Sequence, residues 1–274
     1  PDDVEIIDVR ANKVTLARNA ETEVDGYYGL WLDGGAGHAR IGRITGLTAT
    51  EVQRDVVAVD SGALSPGPAR WNAYYYGDTP TRSLGIPHTD LTLTSEVGEL
   101  PAWLIPAAED EVSDTWAVLV HGRGARREET LRVVPTLHRA GITCLIPSYR
   151  NDLDAPPGPD GRYNLGLSEW RDIEAAMAYA LEHGAERLIL VGWSMGGAIT
   201  LQALSRSRYA DRVLGAVLDG PVVDWADVLR HHALLHRTPG WLAEVATGAM
   251  SRHWLRHVVG VATPVDVAQT NWVA

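Results

Sequence analysis

An α/β fold with a doubly wound, mostly parallel sheet is the class this sequence predicts, and three observations predict it. From about residue 86 to residue 221, short apolar runs alternate with amphipathic helical stretches. The apolar runs do not alternate with polar residues, as expected of strands covered by helices on both faces. The 274 residues are 45 % hydrophobic and 22 % charged, a globular balance that disfavours extended disorder, collagen-like and coiled-coil architectures. Three segments follow: a β-rich N-terminal segment over 1–84, the α/β core over 85–221 and a helical cap segment over 222–274.

In the first segment, Tyr27-Tyr28-Gly29-Leu30-Trp31-Leu32, His38-Ala39-Arg40-Ile41-Gly42-Arg43-Ile44 and Val56-Val57-Ala58-Val59 are short strand-like runs. Gly34-Gly35, Asp60-Ser61-Gly62 and Ser65-Pro66-Gly67-Pro68 punctuate them as turns. In the core, 90–94 and 100–106 form a hairpin around Gly98, and Ala117-Val118-Leu119-Val120 is a buried strand. Residues 130–140 are expected as a helix bent by Pro135, followed by a strand at 142–146. A Pro/Gly-rich loop covers 151–163, and a helix capped by Ser168 spans 168–183 with Trp170, Ile173, Ala176, Met177 and Ala180 as its apolar stripe. Strand 188–191, helix 196–205 and strand 213–218 complete the alternation. The Trp- and Leu-rich stretch beyond Pro221 reads as helical, either a cap forming an acyl-binding pocket or plain packing onto the core.

Charge narrows the partners. With 24 basic against 35 acidic residues the net charge is −11, which disfavours nucleic acid and anionic membranes, since both require clustered Lys or Arg. No apolar stretch is long enough to span a membrane. The single cysteine, Cys144, excludes an intrachain disulfide and a Cys-based zinc cluster and leaves the compartment open; no metal or organic cofactor is implied. The acidic start without Met is not a signal peptide and reads as a processed or trimmed terminus.

The chemistry lies in Leu188-Ile189-Leu190-Val191-Gly192-Trp193-Ser194-Met195-Gly196-Gly197. This is Gly-x-Ser-x-Gly directly after an apolar strand and directly before a helix. A sharp strand-to-helix turn would expose the Ser194 oxygen at its apex, with Gly192, Gly196 and Gly197 small enough to let helix and strand meet. The Met195 N–H would be free to stabilise an oxyanion. A second loop, His121-Gly122-Arg123-Gly124, follows the 117–120 strand, where Gly122 and Gly124 would let a backbone N–H, that of Arg123, approach the same carbonyl. His121 reads as a structural histidine bonding this loop rather than the base, because it precedes the serine.

Both motifs and their spacing resemble the α/β-hydrolase superfamily over residues 86–221. Within it, Gly192-Trp193-Ser194-Met195-Gly196-Gly197 is similar to the bacterial branch of serine esterases, lysophospholipase-like and serine-aminopeptidase-like proteins. Tyr149-Arg150-Asn151 and Trp170-Arg171-Asp172 resemble actinobacterial members. The resemblance implies a serine hydrolase of a small-molecule acyl substrate, cleaving a carboxylic ester through an acyl-enzyme on Ser194. Amide hydrolysis of the aminopeptidase type and a non-catalytic binding or scaffold role are the alternatives.

The superfamily places its acid and then its histidine after the serine, beyond strands that this sequence does not show. The fold is therefore expected to be incomplete at the C-terminus, with the base and acid beyond Ala274 or on a second chain. The other solution is internal: Asp219, past the sixth strand, as the acid, with His231, His232, His236, His253 or His257 as the base. Asp219 has a plainer reading as a cap of the turn at Gly220-Pro221.

Overall fold

The computed structural model describes residues 2–108 and 113–223. The chain divides between Ile86 and Pro87 into two compact units.

The first unit contains six strands: β1 (Val4–Arg10), β2 (Lys13–Ala17), β3 (Tyr28–Leu32), β4 (Gly37–Leu47), β5 (Glu51–Ser61) and β6 (Gly67–Asn72). They close into an antiparallel barrel in the order β1-β2-β5-β4-β3-β6. Closure removes the open edges that a flat sheet of this size would present. Ile6, Val14, Leu16, Leu30, Ile41 and Trp71 fill its interior. The sequence pattern finds β3, β4 and part of β5 but not β1, β2 or β6. Val4/Ile6 and Val14/Leu16 alternate over too few residues to stand out, and Gly67-Pro68, read as a turn, pairs with Ile6 and Glu5 to close the barrel. Inside, the buried Arg54 of β5 donates to the carbonyls of Thr22 (3.0 Å), Gly42 (2.9 Å), Gly26 and Val24, and lies 5.1 Å from the ring centres of Tyr28 and Trp71. It ties the β2–β3 connection to the barrel wall. A short helix, α1 (Pro80–Leu84), follows.

The second unit holds a six-stranded mixed sheet built from β7 (Thr89–Ser95), β8 (Gly98–Ile105), β9 (Thr115–Val120), β10 (Thr143–Pro147), β11 (Arg187–Trp193) and β12 (Val213–Asp219). Its order is β12-β11-β9-β10-β8-β7, parallel from β12 to β10, with the β7–β8 hairpin antiparallel. All six residues of β9 are buried, as its central place requires. Helices α3 (Trp170–Glu182) and α4 (Met195–Arg206) pack Ile173, Ala176, Met177, Ile199 and Ala203 against Val118, Val120, Leu145, Leu188 and Leu190. The edge strand β12 leaves Leu214 and Val217 exposed.

Two expectations are corrected. The helix foreseen at 130–140 is a 3₁₀ segment (Arg127–Arg132) followed by α2 (Val134–Arg139), with Pro135 in its first turn, where the absent N–H costs nothing. Ser168 does not cap α3. The neighbouring Glu169 carboxylate turns back on the preceding loop and accepts the N–H groups of Asn164, Gly166 and Ser168. No helix among the described residues is long and apolar enough to cross a membrane. The stretch expected as a helical cap lies, from residue 224 on, outside the described residues.

Candidate active site

Strand β11 ends at Trp193 and α4 begins at Met195, so the whole reversal falls on one residue. Ser194 absorbs it with φ 49° and ψ −115°, a conformation that L-residues with a Cβ rarely adopt. The turn is tight enough that its glycines are steric necessities. A Cβ on Gly192 would sit 2.5 Å from the Gly196 carbonyl oxygen. One on Gly196 would overlap the Val120 carbonyl and approach that of His121 to 2.5 Å. One on Gly197 would stand 2.7 Å from Pro221 Cβ.

The end of β12 buttresses this turn. Ser194 N–H donates to the Asp219 carbonyl (3.0 Å), and Val222 N–H donates to the Ser194 carbonyl (3.1 Å). Asp219 thus meets the serine through its main chain. Its side chain is 61 % exposed, 3.6 Å from Arg132, whose guanidinium lies near the Trp193 ring. Ser194 itself is exposed while Met195 is buried, and the Met195 N–H, first in α4, meets no acceptor among the described residues.

The second loop leaves β9 at His121. Gly122 packs on the elbow: a Cβ there would be 3.3 Å from both Ser194 Cβ and Glu129 Oε2. Gly124, with φ 68°, follows the exposed Arg123. The buried His121 cannot act as the base, because both ring nitrogens are occupied. Nδ1 is 2.9 Å from the Gly122 carbonyl and Nε2 is 3.0 Å from Asp152 Oδ2. Both partners only accept, so both nitrogens carry protons and the ring is an imidazolium. Burial pulls its pKa down, but the charge and hydrogen bond of Asp152 outweigh burial, and the net shift is upward.

Asp152 also accepts Tyr149 N–H (2.8 Å) and the Tyr163 hydroxyl (2.8 Å). Tyr149 stacks on the imidazole at 4.4 Å, and its hydroxyl lies 3.0 Å from the Gly122 carbonyl and 3.2 Å from that of His121. Burial, followed by the Asp152 charge, holds both phenols above their usual range and keeps them protonated donors. A cavity of about 290 Å³ opens beside the loop, with His121, Gly124, Arg127, Asp152 and Tyr163 in its wall.

The elbow and the second loop therefore come together as the sequence pattern anticipates, and Asp219 arrives by its backbone. His231, His232, His236, His253 and His257 lie outside the described residues. Asp152, Glu129 and Tyr163 escape sequence reading. Only Tyr149-Arg150-Asn151 hinted at this region, and its Arg150 forms a buried bidentate pair with Asp172 (2.8 Å on each arm). Cys144 is buried, and burial pushes its thiol up to about 12, which leaves it inert. No cluster of three or more His, Cys, Asp or Glu able to hold a metal occurs among the described residues.

Residues 116–259 match the family model described as alpha/beta hydrolase fold. The chain belongs to that family. Residues 5–72, within the barrel unit, match a model described as a domain of unknown function. No curated protein matches the chain. Among solved structures it is similar to an esterase of Pyrococcus furiosus (24 % identity, TM-score 0.48, 61 % of this chain and 63 % of that one). It is also similar to a thermophilic esterase from Thermogutta terrifontis (19 %, TM-score 0.40, 59 % of each chain). A third is a lidless α/β serine hydrolase from Xanthomonas campestris (22 %, TM-score 0.39, 43 % of this chain and 56 % of that one). The chain thus spans less than two thirds of the length of these structures.

Proposed function

We propose that this protein is a serine hydrolase that cleaves a carboxylic ester through an acyl-enzyme on Ser194. The observation that carries the reading is the backbone of Ser194: a strained, exposed serine held by the Asp219 carbonyl and the Val222 N–H at the head of α4. Strain of this kind costs on the order of 1–3 kcal/mol, which a turn with no task for its serine avoids by carrying glycine. Family membership supports hydrolase chemistry, and ester cleavage is the step we add.

In this reading Ser194 Oγ attacks the acyl carbonyl. The developing oxyanion receives the N–H of Met195, supported by the positive end of α4, and the N–H of Arg123 across the site. The alkoxide leaves, water hydrolyses the acyl-enzyme, and the serine is regenerated. His121 is excluded as the base by its two bonds, so the base is a histidine outside the described residues. Asp219 is retained as the candidate acid only through its place at the sheet edge beside the elbow.

The test is intact-protein mass of the full-length protein after treatment with a fluorophosphonate. One adduct per chain, absent in Ser194→Ala, is the expected result. A folded wild-type protein that takes no adduct, or an adduct that survives Ser194→Ala, overturns the reading.

A further inference from the structure

We propose that the peptide joining Gly122 to Arg123 is a clamped oxyanion donor, with His121 and Tyr149 holding its carbonyl and Glu129 holding the peptide before it through the Gly122 N–H. The inference builds on the serine-hydrolase reading and names residues that act through the donor. The geometry is as follows. The N–H of Gly122 donates to Glu129 Oε2 at 2.6 Å. The carbonyl of Gly122 faces His121 Nδ1 at 2.9 Å and the Tyr149 hydroxyl at 3.0 Å. That carbonyl and the N–H of Arg123 belong to one trans peptide unit, in which C=O and N–H point in opposite directions. Two donors on the buried side thus fix the carbonyl toward His121 and Tyr149 and turn the Arg123 N–H away from them.

A glycine-rich loop has no such preference of its own, because the Gly122 and Gly124 peptides can rotate at little cost. A rotated 122–123 peptide would present a carbonyl oxygen, not an N–H, to the oxyanion. The clamp removes that alternative before substrate arrives, which is what preorganised stabilisation requires. Glu129 completes it. Its carboxylate and Ser194 Cβ both lie 3.3 Å from where a Gly122 Cβ would stand, it makes no ion pair within 4 Å among the described residues, and one of its oxygens is used by the loop. A bare negative charge next to a forming oxyanion is unfavourable, so its retention there points to the hydrogen bond. His121, paired with Asp152, holds the next peptide of the loop through the Gly122 carbonyl. His121, Tyr149 and Glu129 are thus positioning residues.

The experiment compares Tyr149→Phe, Glu129→Ala and Glu129→Gln with wild type in the full-length protein, after thermal melts confirm folding. The readouts are kcat and KM on a short p-nitrophenyl ester and the inhibition constant of a trifluoromethyl ketone. Losing a whole oxyanion donor costs about 10²–10³ in kcat, so loosening one should cost about tenfold. Tyr149→Phe and Glu129→Ala should each lower kcat by about that factor, leave KM within about twofold, and weaken the ketone in parallel. Glu129→Gln keeps an acceptor and should recover most of what Glu129→Ala loses. Active wild type with unchanged kcat in Tyr149→Phe and Glu129→Ala overturns the clamp and leaves the hydrolase reading standing. So does a loss confined to KM. Glu129→Gln as damaged as Glu129→Ala, and only on amine-bearing esters, overturns the clamp in favour of recognition of a substrate cation. A folded wild type without turnover overturns both.

Discussion

Arg54 in the barrel unit and Arg150 in the hydrolase unit are both buried, and they are made tolerable by opposite means. Arg54 has no carboxylate among its hydrogen-bond partners. Its five N–H groups go to backbone carbonyls, and its faces to Tyr28 and Trp71. Arg150 is met by charge: Asp172 accepts both arms and its backbone N–H, and Glu96 lies 2.9 Å from the third nitrogen. The electrostatics diverge accordingly. Burial lowers the Arg54 pKa, whereas for Arg150 the Asp172 and Glu96 partners outweigh burial and raise it. Carbonyl dipoles suffice where a cation serves to gather a loop. A carboxylate is used where a loop must be fixed to a helix, here the segment after β10 to α3, next to the Tyr149 and Asp152 side chains of the candidate site.

Breaking the charged pair should give the largest effect. Asp172→Ala leaves Arg150 with Glu96 alone, which is half exposed, and should cost about 3–5 kcal/mol by urea denaturation. The double change Arg150→Met with Asp172→Leu should recover most of that, since removing both charges removes the desolvation cost as well. The barrel offers no such rescue. Arg54→Met would leave the carbonyls of Thr22, Val24 and Gly42 without their donor and should cost about 3 kcal/mol, lowered by whatever water reaches them. Hydrogen exchange at 19–26 should rise with it. A second-site substitution that restores Arg54→Met as fully as Asp172→Ala is restored would erase the distinction.

The two units also differ in how much of them the sequence shows. The hydrolase unit announces itself because its parallel strands carry apolar runs such as 117–120 and 188–191 and the elbow is a local motif: Gly192, Ser194 and Gly196 act within one turn. The barrel is held by partners far apart in sequence, such as Val4 with Ala69 and Lys13 with Asp55, and its strands are half polar, so periodicity finds only the longer ones. The same division runs through the site. Ser194, Met195 and Arg123 follow from motifs. Asp152, 31 positions from His121, and Glu129 act through the fold, and no spacing rule reaches them. Asp219, expected as a side-chain acid, is seen to meet the elbow through its carbonyl, which any residue carries.

Backbone strain sharpens the contrast at a smaller scale. Ala11 between β1 and β2 has φ 51°, close to the 49° of Ser194. Glycine at either position removes the Cβ that opposes positive φ, and each substitution should stabilise the folded state by about 1 kcal/mol in a denaturation series. At Ala11 nothing else should change. At Ser194 the fluorophosphonate adduct should vanish, the outcome expected where strain in one unit only shapes a hairpin and in the other holds the proposed nucleophile. Equal stability of Ser194→Gly and wild type would show that the elbow is not strained by its serine.

The smallest expected effect is a difference in pH response. In the barrel, burial raises the Asp60 pKa, but the hydrogen bond from His38 at 2.8 Å and the charge and hydrogen bond of Arg40 at 3.0 Å bring it below the ordinary 3.8. A carboxyl with a depressed folded-state pKa contributes stability above its unfolded value and loses it as pH falls through the folded one. Wild type should therefore lose its advantage over Asp60→Asn below about pH 4. His121 has the opposite sign. Its folded-state pKa lies above 6.5, so its contribution is complete below 6.5 and is lost as pH rises through the folded value. The advantage of wild type over His121→Asn should shrink as pH rises above 6.5 and through the folded value. Above that pH, Nδ1 or Nε2 must surrender a proton against the Gly122 carbonyl or Asp152, so kcat should decline over the same range as stability. Closure of both stability gaps at the same end of the pH scale would mean that His121 is not the imidazolium its two acceptors require.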